Sequence, residues 1–118
     1  MKCVKYLDPV FGIDITEETN LFLNTIHSSK IIRVSGWAGC DFGIYRIRYS
    51  YQTRRGNNRS QEKFFLIPLS VQENGYARAK SEFQKWISFF NEDNPFRRIG
   101  RVRIDSVEEV ALERAVCA

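Results

Sequence analysis

The residues of this sequence that are best suited to binding chemistry are basic, and they lie on one predicted β-hairpin spanning residues 44–71. They are Arg46, Arg48, Arg54, Arg55, Arg59 and Lys63. Clustered arginine and lysine side chains bind phosphates and release the counterions condensed on nucleic acid. Aromatic residues that suit base stacking alternate with them, namely Tyr45, Tyr49, Tyr51 and Phe65. The pattern therefore predicts a small basic nucleic-acid-binding domain, with DNA and RNA not distinguished.

A second basic cluster lies between residues 97 and 103, where no acidic residue occurs. It contains Arg97, Arg98, Arg101 and Arg103. If the strand that carries Arg101 and Arg103 lies beside the hairpin, the two clusters form one phosphate-binding surface. Arg97 and Arg98 also follow a predicted helix C-terminus, where positive charge stabilises the helix dipole. If the strand lies at the far edge of the sheet, the two clusters are separate, and the sequence does not decide between these two positions of the strand.

Two other interpretations of the hairpin stay open. Basic side chains keep an exposed hairpin in solution and protect its edge from aggregation, and the tyrosines would then be core residues. The hairpin edge also suits a non-enzymatic protein-interaction module, an adaptor or inhibitor, by strand addition. In that case Trp37 and Phe42, in the glycine-rich loop 36–43, are candidate partner-binding anchors, since aromatic residues dominate interface energies. The oligomeric state is not predicted.

Catalytic and metal-binding patterns are weak in this sequence. Cys40, Asp41 and the single histidine, His27, are the one set that contains a nucleophile, a base and an orienting group, but no family-type sequence surrounds them. The glycines of the 36–43 loop do not match phosphate-binding motifs. Cys3, Cys40 and Cys117 are too far apart for a zinc-ligand pattern. We therefore expect no enzyme activity, no cofactor and no metal.

Composition favours one folded domain over residues 1–118. The chain has 43% hydrophobic and 14% aromatic residues and a net charge of +4, which argues against disorder. No apolar stretch approaches the ~20 residues of a membrane helix, and the N-terminus has no apolar signal region. A cytoplasmic protein that does not associate with membranes is expected.

Hydrophobic periodicity predicts eight elements in the order β-α-β-β-β-α-β-α. They are a strand at 3–7, a helix at 14–28, a strand at 30–37, hairpin strands at 44–52 and 62–71, a helix at 76–91, a strand at 98–104 and a short C-terminal helix. The last helix is predicted from a capping box formed by Ser106 and Glu109. This order favours an α+β fold, a mainly antiparallel sheet with two to three helices packed on one face.

The turn of the hairpin decides which residues share a face. A two-residue turn on Gly56-Asn57 or on Asn57-Asn58 gives the same parity. Under either turn the tyrosines share a face with Phe64 and Leu66. Arg46 and Arg48 would then lie with Lys63, Phe65 and Ile67 on the exposed face of the sheet.

Overall fold

A mixed five-stranded sheet and two α-helices form the fold in a computed structural model, which describes residues 3–34, 41–68 and 75–116. The strands are β1 (Cys3–Leu7), β2 (Ile31–Arg33), β3 (Phe42–Thr53), β4 (Asn58–Pro68) and β5 (Ile99–Val116), and the helices are α1 (Thr16–Thr25) and α2 (Gly75–Asp93). The strands lie in the order β1-β5-β3-β4-β2. Only β2 and β4 run parallel among the described strands. The predicted α+β class is confirmed.

β3 and β4 are joined by a three-residue loop, Arg54-Arg55-Gly56, so the predicted two-residue turn is wrong. Thr53 donates its backbone N–H to the carbonyl of Asn57 at 2.8 Å, and Gly56 donates to the carbonyl of Thr53 at 2.9 Å. Gly56 has a φ of +87°, a left-handed conformation that glycine adopts without steric cost.

This loop changes the parity of the hairpin. Arg46 pairs with Phe64, and Tyr45 pairs with Phe65. A shift of one residue exchanges the two faces of a strand completely. The predicted grouping of Arg46 and Arg48 with Lys63, Phe65 and Ile67 is therefore wrong, because Arg46 lies on the same face as Phe64 and Leu66.

The two helices pack on opposite faces of the sheet, so the expectation that they share one face is wrong. Phe83 of α2 belongs to a buried cluster with Tyr45 and Phe65. Phe22 of α1 packs on a second cluster that contains Phe64. Successive strand residues point to opposite faces, and both faces of β4 are apolar between Phe64 and Ile67, which gives each helix its own core.

β5 is one long strand, and the predicted C-terminal helix over residues 106 onwards is wrong. The strand pairs with β3 on one side and with β1 on the other. Register shifts along the β3–β5 pairing interrupt the two-residue alternation. Ile104 and Val107, three residues apart, consequently both pack against the α2 cluster, and the neighbouring residues Val110 and Ala111 both belong with the α1 cluster. The β-branched valines favour the strand, and pairing on both sides overrides the local helical spacing.

The buried tyrosines predict a loss of stability in alkali. Burial raises the pKa of Tyr45 to about 12, with the nearby Glu109 carboxylate adding to the effect, and burial raises that of Tyr49 to about 12. An unfolded tyrosine ionises near pH 10, so the folded state binds these protons more tightly. The stabilisation that the two protonated tyrosines give to the folded state is complete below pH 10 and is lost as the pH rises towards 12.

We expect the free energy of unfolding to fall by roughly 2 kcal/mol for each of these tyrosines across that interval. Urea unfolding at several alkaline pH values measures it, and tyrosinate absorbance reports the ionisation. Tyr49→Phe removes one ionising group, so its stability should fall less steeply with pH. A wild-type stability that stays level up to pH 12 would contradict the burial of both phenols.

Candidate nucleic-acid interface

The arginines in the middle of the hairpin are neutralised by carboxylates of the same sheet. Arg46 Nε and Arg48 Nε lie 3.8 Å and 3.5 Å from Glu62 Oε2. Arg46 Nη1 also donates to Glu108 Oε2 at 3.5 Å, and the guanidinium lies 5.4 Å from the centre of the Phe64 ring. The Arg46 side chain is only 19% exposed. Arg46 is therefore part of the packing between α1 and the sheet.

Lys63 lies on the opposite face of the sheet from Arg46. Its ammonium donates to the backbone carbonyl of Ser29 at 3.0 Å and lies 4.8 Å from the centre of the Trp86 ring. Burial, with a smaller effect from Lys30, lowers the pKa of Lys63 below its usual value. The sheet therefore separates Lys63 from Arg46 and Arg48, which the sequence had placed together.

At the far end of the hairpin the two arginine clusters come together. The end of β3 pairs with the start of β5, with Thr53 opposite Ile99, so the hairpin loop lies beside the segment that precedes β5. The Arg54 guanidinium lies 5.8 Å from the centre of the Phe96 ring. The concavity between the two segments is about 410 Å³ in volume, and we call it the arginine groove. Its lining includes Arg54, Arg55, Arg59, Arg97, Arg98, Tyr51, Phe90 and Phe96.

The arginines of this groove carry charge that the fold does not neutralise. Arg54, Arg55, Arg59, Arg97 and Arg98 are all exposed. Within residues 3–34, 41–68 and 75–116, none of these five forms an ion pair. Glu92 and Asp93, at the end of α2, are close to Arg97 in sequence but do not pair with it either. Five positive charges without an ion-pair partner in the described part of the chain therefore surround one groove.

Arg101 and Arg103, the other two predicted site residues of β5, have different surroundings. Together with Arg59 they line an adjoining concavity of about 400 Å³. Arg103 Nε donates to Asp105 Oδ1 at 2.9 Å, so its charge is compensated. Arg101 has a φ of +48° at an irregularity in the β3–β5 pairing, a conformation that is rare for residues other than glycine. The irregularity redirects the side chains of this part of β5.

Phe96 is the member of the groove that the sequence analysis missed. The sequence pattern of this segment drew attention only to its arginines, and Arg97 and Arg98 were also explained as charges at a helix terminus. Phe96 is 82% exposed, the highest value among the large apolar side chains of the described residues. The available sequence signal was an aromatic residue enclosed by proline, asparagine and two arginines.

The remaining candidate residues are only partly described. Trp37 and Cys40 lie outside the described residues. Phe42 is the first residue of β3, half-buried, with the Arg33 guanidinium 4.9 Å above its ring. Asp41 Oδ2 accepts a hydrogen bond from Arg114 at 3.3 Å, and His27 Nδ1 accepts one from the backbone N–H of Ser29 at 3.2 Å. In the described part of the chain, no three His, Cys, Asp or Glu side chains are grouped as metal ligands.

Comparison of this chain with protein-family models, with curated proteins and with solved structures finds no match in any of the three. No helix among the described residues has both the length and the apolar character needed to cross a membrane.

Proposed function

We propose that this protein binds nucleic acid through the arginine groove. The observation that carries the proposal is that five exposed arginines from two separate parts of the chain line one groove. None of the five forms an ion pair with another described residue. The planar guanidinium group matches the geometry of a phosphate and forms two parallel hydrogen bonds with it. Binding several phosphates at once would release counterions, which is the main source of affinity for nucleic acid.

The contact surface in this proposal is the distal end of the basic hairpin, rather than its whole length. The loop and the start of β4 supply Arg54, Arg55 and Arg59, and the segment before β5 supplies Arg97 and Arg98. Arg101 extends the surface along β5. The residues in the middle of the hairpin contribute mainly to the fold, because their charged groups already have partners.

The test is fluorescence anisotropy with labelled single-stranded and duplex oligonucleotides, at low and at physiological salt, with the Arg54→Ala/Arg55→Ala variant beside the wild type. We expect affinity to fall steeply with salt, and the slope of log K against log salt to decrease by about 0.7–0.9 for each phosphate contact that the variant loses. Both side chains are exposed in a loop, so the stability of the variant should stay within about 0.5 kcal/mol of the wild type.

The matched control is Lys5→Ala/Lys80→Ala, which removes two positive charges from exposed positions on β1 and α2. It should leave the affinity and the salt slope close to those of the wild type. Equal losses in the two variants would show that overall charge, and not the groove, attracts the ligand. No binding by the wild type at low salt would overturn the proposal, because electrostatic attraction is strongest there.

The second candidate function is a protein-interaction module, and the loop between β1 and α1 favours it. Val10 and Phe11 are 80% and 79% exposed. Asp8 Oδ1 accepts hydrogen bonds from the backbone N–H groups of both residues, at 2.9 Å and 2.7 Å, so the loop presents them in a fixed turn. Exposed apolar groups of this kind are typical of protein interfaces. The test is a pull-down after nuclease treatment. A protein that is retained by the Arg54→Ala/Arg55→Ala variant but not by the Phe11→Ser variant would support this alternative.

A further inference from the structure

The geometry points to single-stranded nucleic acid as the ligand of the arginine groove, with one base stacked on the ring of Phe96. This inference rests on the nucleic-acid-binding function proposed above and adds the class of ligand. Its basis is an exposed aromatic ring set among arginines that can hold the phosphates on either side of the stacked base.

The ring of Phe96 is available for stacking. The Arg54 guanidinium lies over the ring, 5.8 Å from its centre. No other aromatic ring of the described residues pairs with it. A base on Phe96 would thus join a short stack of base, phenyl ring and guanidinium, which combines aromatic stacking with a cation–π interaction.

The backbone that carries Phe96 is also ordered before any ligand arrives. Pro95 begins the short 3₁₀ turn Pro95–Arg97, and Arg97 donates its N–H to the carbonyl of Asn94 at 2.9 Å. On the far side, Asn91 exchanges two side-chain hydrogen bonds with the backbone of Ile99, at 2.8 Å and 3.1 Å. Hydrogen bonds therefore fix the backbone of this segment at both ends, and binding requires little further ordering of the backbone.

A single strand fits this arrangement better than a duplex does. The bases of a duplex already stack on one another, and separating a step costs a few kcal/mol before a side chain can enter. The bases of a single strand are free to stack on Phe96 at no such cost.

The experiment compares a labelled single-stranded DNA oligonucleotide with its own duplex, using wild type, Phe96→Ala, Phe96→Leu and Phe96→Tyr. We expect the wild type to bind the single strand more tightly. Phe96→Ala should lower single-strand affinity about 5- to 100-fold, in line with the energy of stacking one base, and should leave the salt slope unchanged. Phe96→Leu should lose nearly as much, because it keeps an apolar side chain but not the flat ring. Phe96→Tyr should retain the affinity.

The outcomes separate this inference from the proposed function. If Arg54→Ala/Arg55→Ala weakens binding and Phe96→Ala does not, the groove binds nucleic acid without stacking. The stacking inference then fails, while the proposed nucleic-acid-binding function stands. If Phe96→Ala weakens duplex binding as much as single-strand binding, or if the duplex binds more tightly, the preference for single strands is overturned. If no oligonucleotide binds at low salt, both proposals fail. Thermal unfolding of each variant shows that the exposed substitutions leave the fold intact.

Discussion

Replacing Phe83 by alanine should lower the free energy of unfolding by about 3–5 kcal/mol, a large share of the 5–15 kcal/mol that typically stabilises a small domain. Phe83 is fully buried where α2 meets the sheet. Its ring centre lies 4.9 Å from that of Tyr49 and 6.2 Å from that of Phe65. Both neighbours belong to paired strands, so neither can move far to fill the cavity that alanine would leave.

Urea unfolding followed by circular dichroism measures this loss. Phe89→Ala is the matched control, because it removes the same side chain from the same helix at a position that is 62% exposed. Its cost should be below about 1 kcal/mol, since exposed substitutions change stability little. If the two variants lost similar amounts of stability, Phe83 would not be the contact that holds α2 on the sheet.

Replacing Arg33 by methionine should destabilise the protein by about 2 kcal/mol, because the buried carboxylate of Glu113 loses the half-exposed guanidinium that compensates its charge. Glu113 lies on β5 and is buried. Its two oxygens accept hydrogen bonds from Arg33 at 3.0 Å and 3.1 Å, and Oε2 also accepts one from the Tyr6 hydroxyl at 3.3 Å. These contacts connect β2, β5 and β1 across the width of the sheet.

A double-mutant cycle checks the cause of this loss. Arg33→Met/Glu113→Leu removes both charged groups and should recover most of the stability, because no buried carboxylate is then left without a partner. The free energies of unfolding of wild type, both single variants and the double variant are compared in urea. A double variant as unstable as Arg33→Met would show that lost packing of the arginine stem, rather than the unpaired carboxylate, is responsible.

Elements with a strong local pattern could be predicted from the sequence. The apolar residues of α2 recur every three or four positions, and Ala79, Phe83 and Ile87 are its buried residues. The alternation in β3 likewise identifies the strand. The register of the hairpin could not be predicted, because residues 54–58 suit turns of two or three residues, and only one of these choices gives the observed faces.

The final strand shows where local pattern is insufficient. Ser106, Glu109 and the spacing of Val107, Val110 and Ala111 all fit a helix. The strand forms because β1 and β3 are available on both sides, which is a property of the whole fold. Its register shifts also remove the strict alternation by which a strand is recognised in a sequence.

The basic residues of the candidate site could be identified from the sequence, but their arrangement in space could not. Arg54, Arg55 and Arg59 were expected to bind, and they line the arginine groove. The pairing of Arg46 with Glu62 depends on the hairpin register, and so it was not visible. The meeting of the two arginine clusters depends on the pairing of β3 with β5, between residues far apart in the chain.

The place of β5 in the sheet also constrains the order of events during synthesis. β1 pairs with β5 alone among the described strands, with Cys3 opposite Val116. A ribosome therefore releases β1, both helices and the β3–β4 hairpin before it releases the strand that joins β1 to β3. Contacts of such long sequence separation slow folding, because a large loop must close before they form. Until then β3 has an unpaired edge of backbone N–H and C=O groups, which makes the incomplete chain prone to aggregation.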